Sequence, residues 1–279
     1  MTALRRGFTL VELLVALVLA GIVSAGAAAV LSGTERQMRR AIGVRTSRRT
    51  LREADLVLNA ELRAASADSI RLLGDTAAEF LALVGTSVAC FSERRSLVLP
   101  PAMVTIGGPY SVWRNRVESG DMVVAFDTLR GGTWRAASVV STNWRRVGVG
   151  CSPASGLLSA VDNAARKAML VLELDRDLIG IEVGAPVRVL RRNRYVLRRG
   201  VDREWTLSFR RCALAGGCEA SQPVVGELAS PSDSGLIFTR RGAGPGLDVI
   251  VRVPTRDPSR PRDSRRLSIV QRNRAVASP

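Results

Sequence analysis

Histidine is absent from this 279-residue chain, and lysine occurs once, at Lys167, although Lys and Arg together number 41. Without an imidazole there is no Ser-His-Asp or Cys-His pair. No GxSxG elbow or P-loop is present either, so the common nucleophilic and nucleotide-handling chemistries lack their residues. The chain is read as a non-enzyme that takes no cofactor. Acidic residues number 25, leaving a formal net charge of +16. That excess is almost wholly arginine, which reflects codon usage in a GC-rich genome as readily as a basic surface, so charge alone says little about partners. Cysteine occurs four times with no CxxC spacing, and the lack of histidine makes a metal site a poor reading of the set. Proline is missing from Thr34 to Ala65, which leaves that stretch open to an unbroken helix. Disorder is excluded by a hydrophobic fraction of 46%, enough to bury a core in one or two domains.

The most informative segment is the start, Arg5-Arg6-Gly7-Phe8-Thr9-Leu10-Val11-Glu12, which runs into an apolar stretch ending at Leu31. From Phe8 to Leu31 the only charge is Glu12. As a helix this stretch extends about 36 Å, slightly more than the hydrocarbon core of a bilayer. A cleaved secretory signal has a short apolar region before a small-residue cut site. Here two arginines and a glycine precede the apolar run and no turn interrupts it, so the helix is expected to be retained. Gly21, Ala25, Ala29 and Gly33 recur every four residues and set small side chains along one stripe, which suits close helix approach.

These residues resemble the type IV prepilin leader. The resemblance implies cleavage after Gly7 and methylation of the new N-terminus at Phe8 by a prepilin peptidase. It also assigns Glu12 to assembly. A carboxylate deep in a membrane helix costs about 2.5–3.5 kcal/mol on insertion scales and survives when paired. Glu12 of one subunit would therefore neutralise the Phe8 amine of a neighbour, and the implied partners are other pilin or pseudopilin subunits, the peptidase and the inner membrane. Orientation sets two rules against each other. Arg36, Arg39, Arg40, Arg45, Arg48, Arg49 and Arg52 after the apolar run outnumber Arg5 and Arg6 before it, which by count places the C-terminal part in the cytoplasm. The leader implies the reverse: a cytoplasmic start, a single span of a bacterial inner membrane and an exported, periplasmic body.

Beyond the apolar run, Leu51, Ala54, Leu58, Leu62 and Ala65 repeat at three- and four-residue steps, predicting an amphipathic continuation of the helix. The expected organisation is a leader over 1–7, a membrane helix over 8–33, its continuation over 34–72 and a β-rich body over 73–279. Gly43 among the arginines is the expected place for a bend or frayed turn. The fold class expected is α+β, with a long N-terminal helix packed on antiparallel sheets.

Strands are predicted over 80–84, 96–99 and 103–106, followed by a hairpin of 122–129 and 134–140 turning at Gly131-Gly132. A second hairpin, 185–190 with 195–199, is predicted to turn at Arg192-Asn193. Further strands are expected over 205–210, 235–239, 247–253 and 266–271, and residues 163–169 are read as a short helix or a turn. Pro223 to Leu228 and the closing Leu267 to Arg274 make the C-terminal half similar to the larger minor pilins and pseudopilins of the PilW and GspJ type, which implies a minor rather than a principal filament subunit.

The cysteines, Cys90, Cys151, Cys212 and Cys218, fit two disulfides in an oxidising compartment, and four cysteines permit three pairings. Cys212 and Cys218 flank a short Gly-containing loop that could close locally, leaving Cys90 with Cys151; free buried thiols are the alternative. Glu173, Asp175 and Asp177 alternate and would share a strand face, but no EF-hand glycine and glutamate follow, so a salt-bridged edge is preferred to a calcium site. Arg191, Arg192, Arg194 and Tyr195 interleave charge with an aromatic ring, as do Trp144, Arg145 and Arg146. They are the candidate nucleic-acid contacts, with DNA the partner in that reading. Two alternatives to the minor-pilin reading follow: a DNA-binding subunit of an uptake pilus, or a single-pass anchor carrying an unrelated domain.

Overall fold

The computed structural model describes residues 10–65, 69–101, 110–129, 132–145, 151, 155–178, 180–213, 217–242, 246–254 and 263–270. The expected strand 103–106, Gly131, Arg146 and the closing residues 271–274 lie outside them. Two compact units divide the chain, residues 1–49 and residues 50–279. The first helix, α1 (Leu10–Ala64), passes from one unit into the other.

In the first unit α1 holds no buried residue from 10 to 49. Helical geometry continues through Gly43, so no frayed turn interrupts it there. One Gly costs about 1 kcal/mol in a helix, and the good helix formers around it absorb that.

In the second unit the last turns of α1 are buried along one stripe, with Ala54, Leu58 and Leu62 fully inaccessible. The helix stops at Ala64, and the strand β1 (Arg71–Leu72) already belongs to a sheet. The continuation expected to reach residue 72 is therefore corrected. The apolar period ends at Ala65, and in the sequence no larger apolar residue follows until Ile70.

The body is built on an antiparallel sheet of eleven strands. Its strands are β1, β2 (Ala77–Val88), β3 (Phe91–Glu93), β4 (Ser96–Leu99), β5 (Val112–Trp113), β6 (Met122–Asp127), β7 (Thr133–Arg145), β8 (Met169–Leu174), β9 (Pro186–Arg199), β10 (Trp205–Cys212) and β11 (Gln222–Leu228). The main path runs β1-β2-β9-β6-β7-β8-β4-β3, with β10 and β11 branching from β9 and β5 from β2. A second sheet of three strands joins β12 (Leu236–Arg241), β13 (Gly246–Arg252) and β14 (Ser264–Val270). This is the α+β architecture of a long helix and antiparallel sheets. The first hairpin falls where predicted, with Asp127 opposite Thr133 and Gly132 at φ +71°, a left-handed conformation that suits glycine. A five-residue helix, α2 (Ala160–Ala164), overlaps the start of the 163–169 stretch, and Met169 already begins β8. Ser159 caps α2 by accepting from the Asp162 N–H.

The second predicted hairpin is absent. Residues 186–199 form one strand of 14 residues, β9, which pairs with β2 along one edge and on the other first with β6 and then with β10. Arg-Arg-Asn-Arg looks like a polar turn in sequence, but each arginine meets a carboxylate contributed by a distant segment, so the strand has no need to leave the sheet.

Two main cores result. In one, Leu58 and Leu62 of α1 pack with Phe80, Tyr195 and Leu207 of the large sheet and with Phe238, Val249 and Ile269 of the small one. In the other, β4, β6, β7, β8 and β9 contribute alternate residues, among them Leu97, Val123, Val139, Leu172 and Val189. Gly85 sits at a bulge in β2 where a Cβ would come within 2.2 Å of the Trp113 ring, so only glycine lets β5 pair there.

Candidate functional site

Gly7 and Phe8 lie outside the described residues. Glu12 falls near the start of the described part of α1. Around it the side chains are long, apolar and solvent-facing: Leu10 is 75% exposed, Val11 68% and Val23 70%. This helix is long and apolar enough to cross a membrane, and nothing in its most apolar window is buried. Along the small-residue stripe, a Cβ added at Gly21 or Gly33 would meet no atom within 4 Å. Exposed leucines and valines at this density are unfavourable in water, and lipid or apolar helices are the surroundings that remove the cost.

The candidate nucleic-acid residues sit in the body and are engaged there. Arg191 is 7% exposed; its Nε donates to Asp121 Oδ1 at 2.6 Å and its Nη2 to Asp121 Oδ2 at 2.8 Å, a bidentate pair. Nη2 also donates to the Arg116 carbonyl at 2.8 Å. The hydrogen bond to Asp121 and the charge of Glu118 outweigh burial and hold the guanidinium pKa above its ordinary value. Arg192 and Arg194 both face Glu79, at 3.7 and 2.7 Å. Tyr195 is 3% exposed, its ring stacked on Phe80 at 5.7 Å and tilted against Phe209 at 5.5 Å. Burial raises its phenol, with Glu61 adding to the effect. A buried ring cannot stack on a base, and arginines already bound to carboxylates offer phosphate little, so this set does not form the open basic groove that nucleic-acid binding requires. Trp144, by contrast, is 47% exposed on β7.

Sequence reasoning missed Asp121 and Glu79, the carboxylates that hold β9 in the sheet. Asp121 lies 70 residues from Arg191, immediately before β6, at the point where the neighbour of β9 changes from β6 to β10. No local signal marks such a pair; only the register brings it together.

Cys90 is bonded to Cys151 and Cys212 to Cys218. The first pair is buried beside Val98, Leu158 and Met169, and the second closes the end of β10. Asp175 lies past the end of β8 and accepts from the Ser138 N–H at 2.8 Å. Burial pushes its carboxyl up, but that hydrogen bond and Arg176 prevail and hold its pKa below the usual value. Asp177 pairs with Arg95 at 3.7 Å. No group of three or more metal-ligating side chains occurs among the described residues.

The prokaryotic N-terminal methylation motif matches residues 3–28. No curated protein and no solved structure matches the chain. The motif, together with the apolar helix that continues it, is consistent with a membrane-anchored, type IV pilin-like protein.

Proposed function

We propose that the protein is a minor pilin or pseudopilin, a structural subunit that helps initiate assembly of a type IV pilus or a secretion pseudopilus. Its leader is removed after Gly7 by a prepilin peptidase, Phe8 becomes the methylated N-terminus, and the helix forms a single span of the inner membrane with the body in the periplasm. The observation that carries this reading is a methylation motif running directly into a helix whose apolar side chains from Leu10 to Val44 are all exposed. Two disulfides in the body agree with an oxidising compartment. Glu12 acts as the counterion of a neighbour's Phe8 amine, which lets sibling helices pack side by side in lipid. The role is structural rather than catalytic. DNA retention through β9 receives little support, since Tyr195 is buried and Arg191 is paired.

Replacing Glu12→Ala tests the counterion role. Terminal sequencing of the membrane-extracted variant should still begin at Phe8, while its share in purified filaments should fall at least about tenfold, the scale of losing one charge-assisted hydrogen bond. Wild-type incorporation would refute the role, and a native chain that still begins at Met1 would refute the wider reading.

A further inference from the structure

Where the last turn of α1 leaves the large sheet, a cleft of about 390 Å³ opens between Ala60, Glu61 and Ala64 on the helix and the strands β2, β9 and β10. The register explains its polarity. Asn193 lies opposite Phe80 on one side and Arg211 on the other, and Arg191 lies opposite Ala82, so all share the sheet face that α1 covers further along. Under the helix that face is apolar; beyond it, the same face continues as Asn193, Arg191 and Arg211, which line the cleft.

Within the cleft, Asn193 is 6% exposed, and its Oδ1 has no hydrogen-bond partner among the described residues. A buried carbonyl oxygen without a partner is costly and calls for a donor. Glu61 supplies a second acceptor; burial raises its pKa and Arg114 pulls it back down. Two cations face these acceptors. Arg114 makes no ion pair among the described residues, and Arg211 gives Nη1 to Glu118 at 3.0 Å. Arg191 is held by Asp121 and serves as wall. Phe209, Leu83 and Val84 supply apolar surface. The volume is at the small end of ligand pockets.

We propose that this cleft binds a zwitterionic ligand of the α-amino acid class. The ammonium donates to the Glu61 carboxylate and, once the Asn193 amide turns toward the cleft, to its Oδ1; the carboxylate accepts from Arg114 and Arg211, and the side chain lies against Phe209. An inorganic anion would leave Asn193 without a donor, and a simple amine would meet the arginines with nothing to offer them. The inference rests on the body alone and stands or falls independently of the filament role.

The test is saturation-transfer NMR and calorimetry on the full chain in detergent, with L-leucine as the probe. Leucine should bind saturably, and both N-acetyl-leucine and leucinamide should bind at least tenfold more weakly, because each lacks one of the two charges. Arg114→Gln and Asn193→Leu should each weaken leucine at least tenfold. Asn193→Leu should leave the thermal midpoint unchanged or higher, because it removes the partnerless oxygen, and this separates lost binding from lost folding. Absence of saturable binding by leucine, or equal binding of its N-acetyl form, would overturn the proposal.

Discussion

Residues 10–49 and the body that follows draw on the same side chains and use them in opposite ways. In the first stretch leucine, valine and arginine all face outward, and the ion pair of Arg39 with Glu35 joins neighbours on a single helix. In the body, Leu58 and Leu62 are fully covered and Arg191 is clamped by Asp121. Residue type therefore does not decide burial here; what decides it is whether a second element of the same chain is available to complete the contact. Where none is, the apolar surface remains for lipid or for another subunit.

The largest expected effect compares charges in the two regions. Asp121→Ala leaves the buried Arg191 guanidinium without its main partner and should cost about 3–5 kcal/mol of stability, read from denaturant unfolding of the body. Glu35→Ala, which removes an exposed i,i+4 partner, should stay within about 0.5 kcal/mol. Equal losses at the two positions would erase the distinction.

The apolar side chains give the second comparison. Leu58→Ala empties a fully buried site and should cost about 2–5 kcal/mol, whereas Leu17→Ala, 62% exposed, should leave body unfolding unchanged and show itself only in membrane extraction or filament incorporation. A substantial loss of body stability at Leu17 would mean that the two units are energetically coupled.

The smallest effect sharpens the picture for a carboxylate in the body that is held by half-exposed arginines. Asp248 accepts from Arg266 at 2.7 Å and from Ser268 at 2.9 Å, and these hold its pKa down to about 2 from 3.8. A depressed carboxylate contributes stability above its unfolded pKa and loses it as pH falls through its folded one. Wild type should therefore lose an increment between about pH 4 and pH 2 that Asp248→Asn lacks. Coincident acid transitions for the two proteins would remove the contribution.

The large elements were legible because their signals are local. Short continuous apolar runs marked β4 and β6, alternation marked β13 and β14, and the three- and four-residue spacing of Leu51, Ala54, Leu58 and Leu62 marked the buried part of α1. The error at Arg192-Asn193 is instructive in the same terms. Polarity usually signals a turn because a buried charge is costly, yet Asp121 and Glu79 cancel that cost from 70 and 115 residues away. The cleft beside Asn193 was invisible for the same reason, since its walls come from α1, β2, the Arg114 segment, β9 and β10.

By itself, then, the sequence determined the apolar helix, the motif that begins it and the alternation that makes the rest a β-rich body, because each depends on spacing within a single segment. Tertiary structure alone decided which arginines are buried, that β9 runs unbroken through four consecutive polar residues, and where an amide oxygen is left without a partner beside a cleft. Those outcomes depend on partners that only the strand register brings within hydrogen-bonding distance.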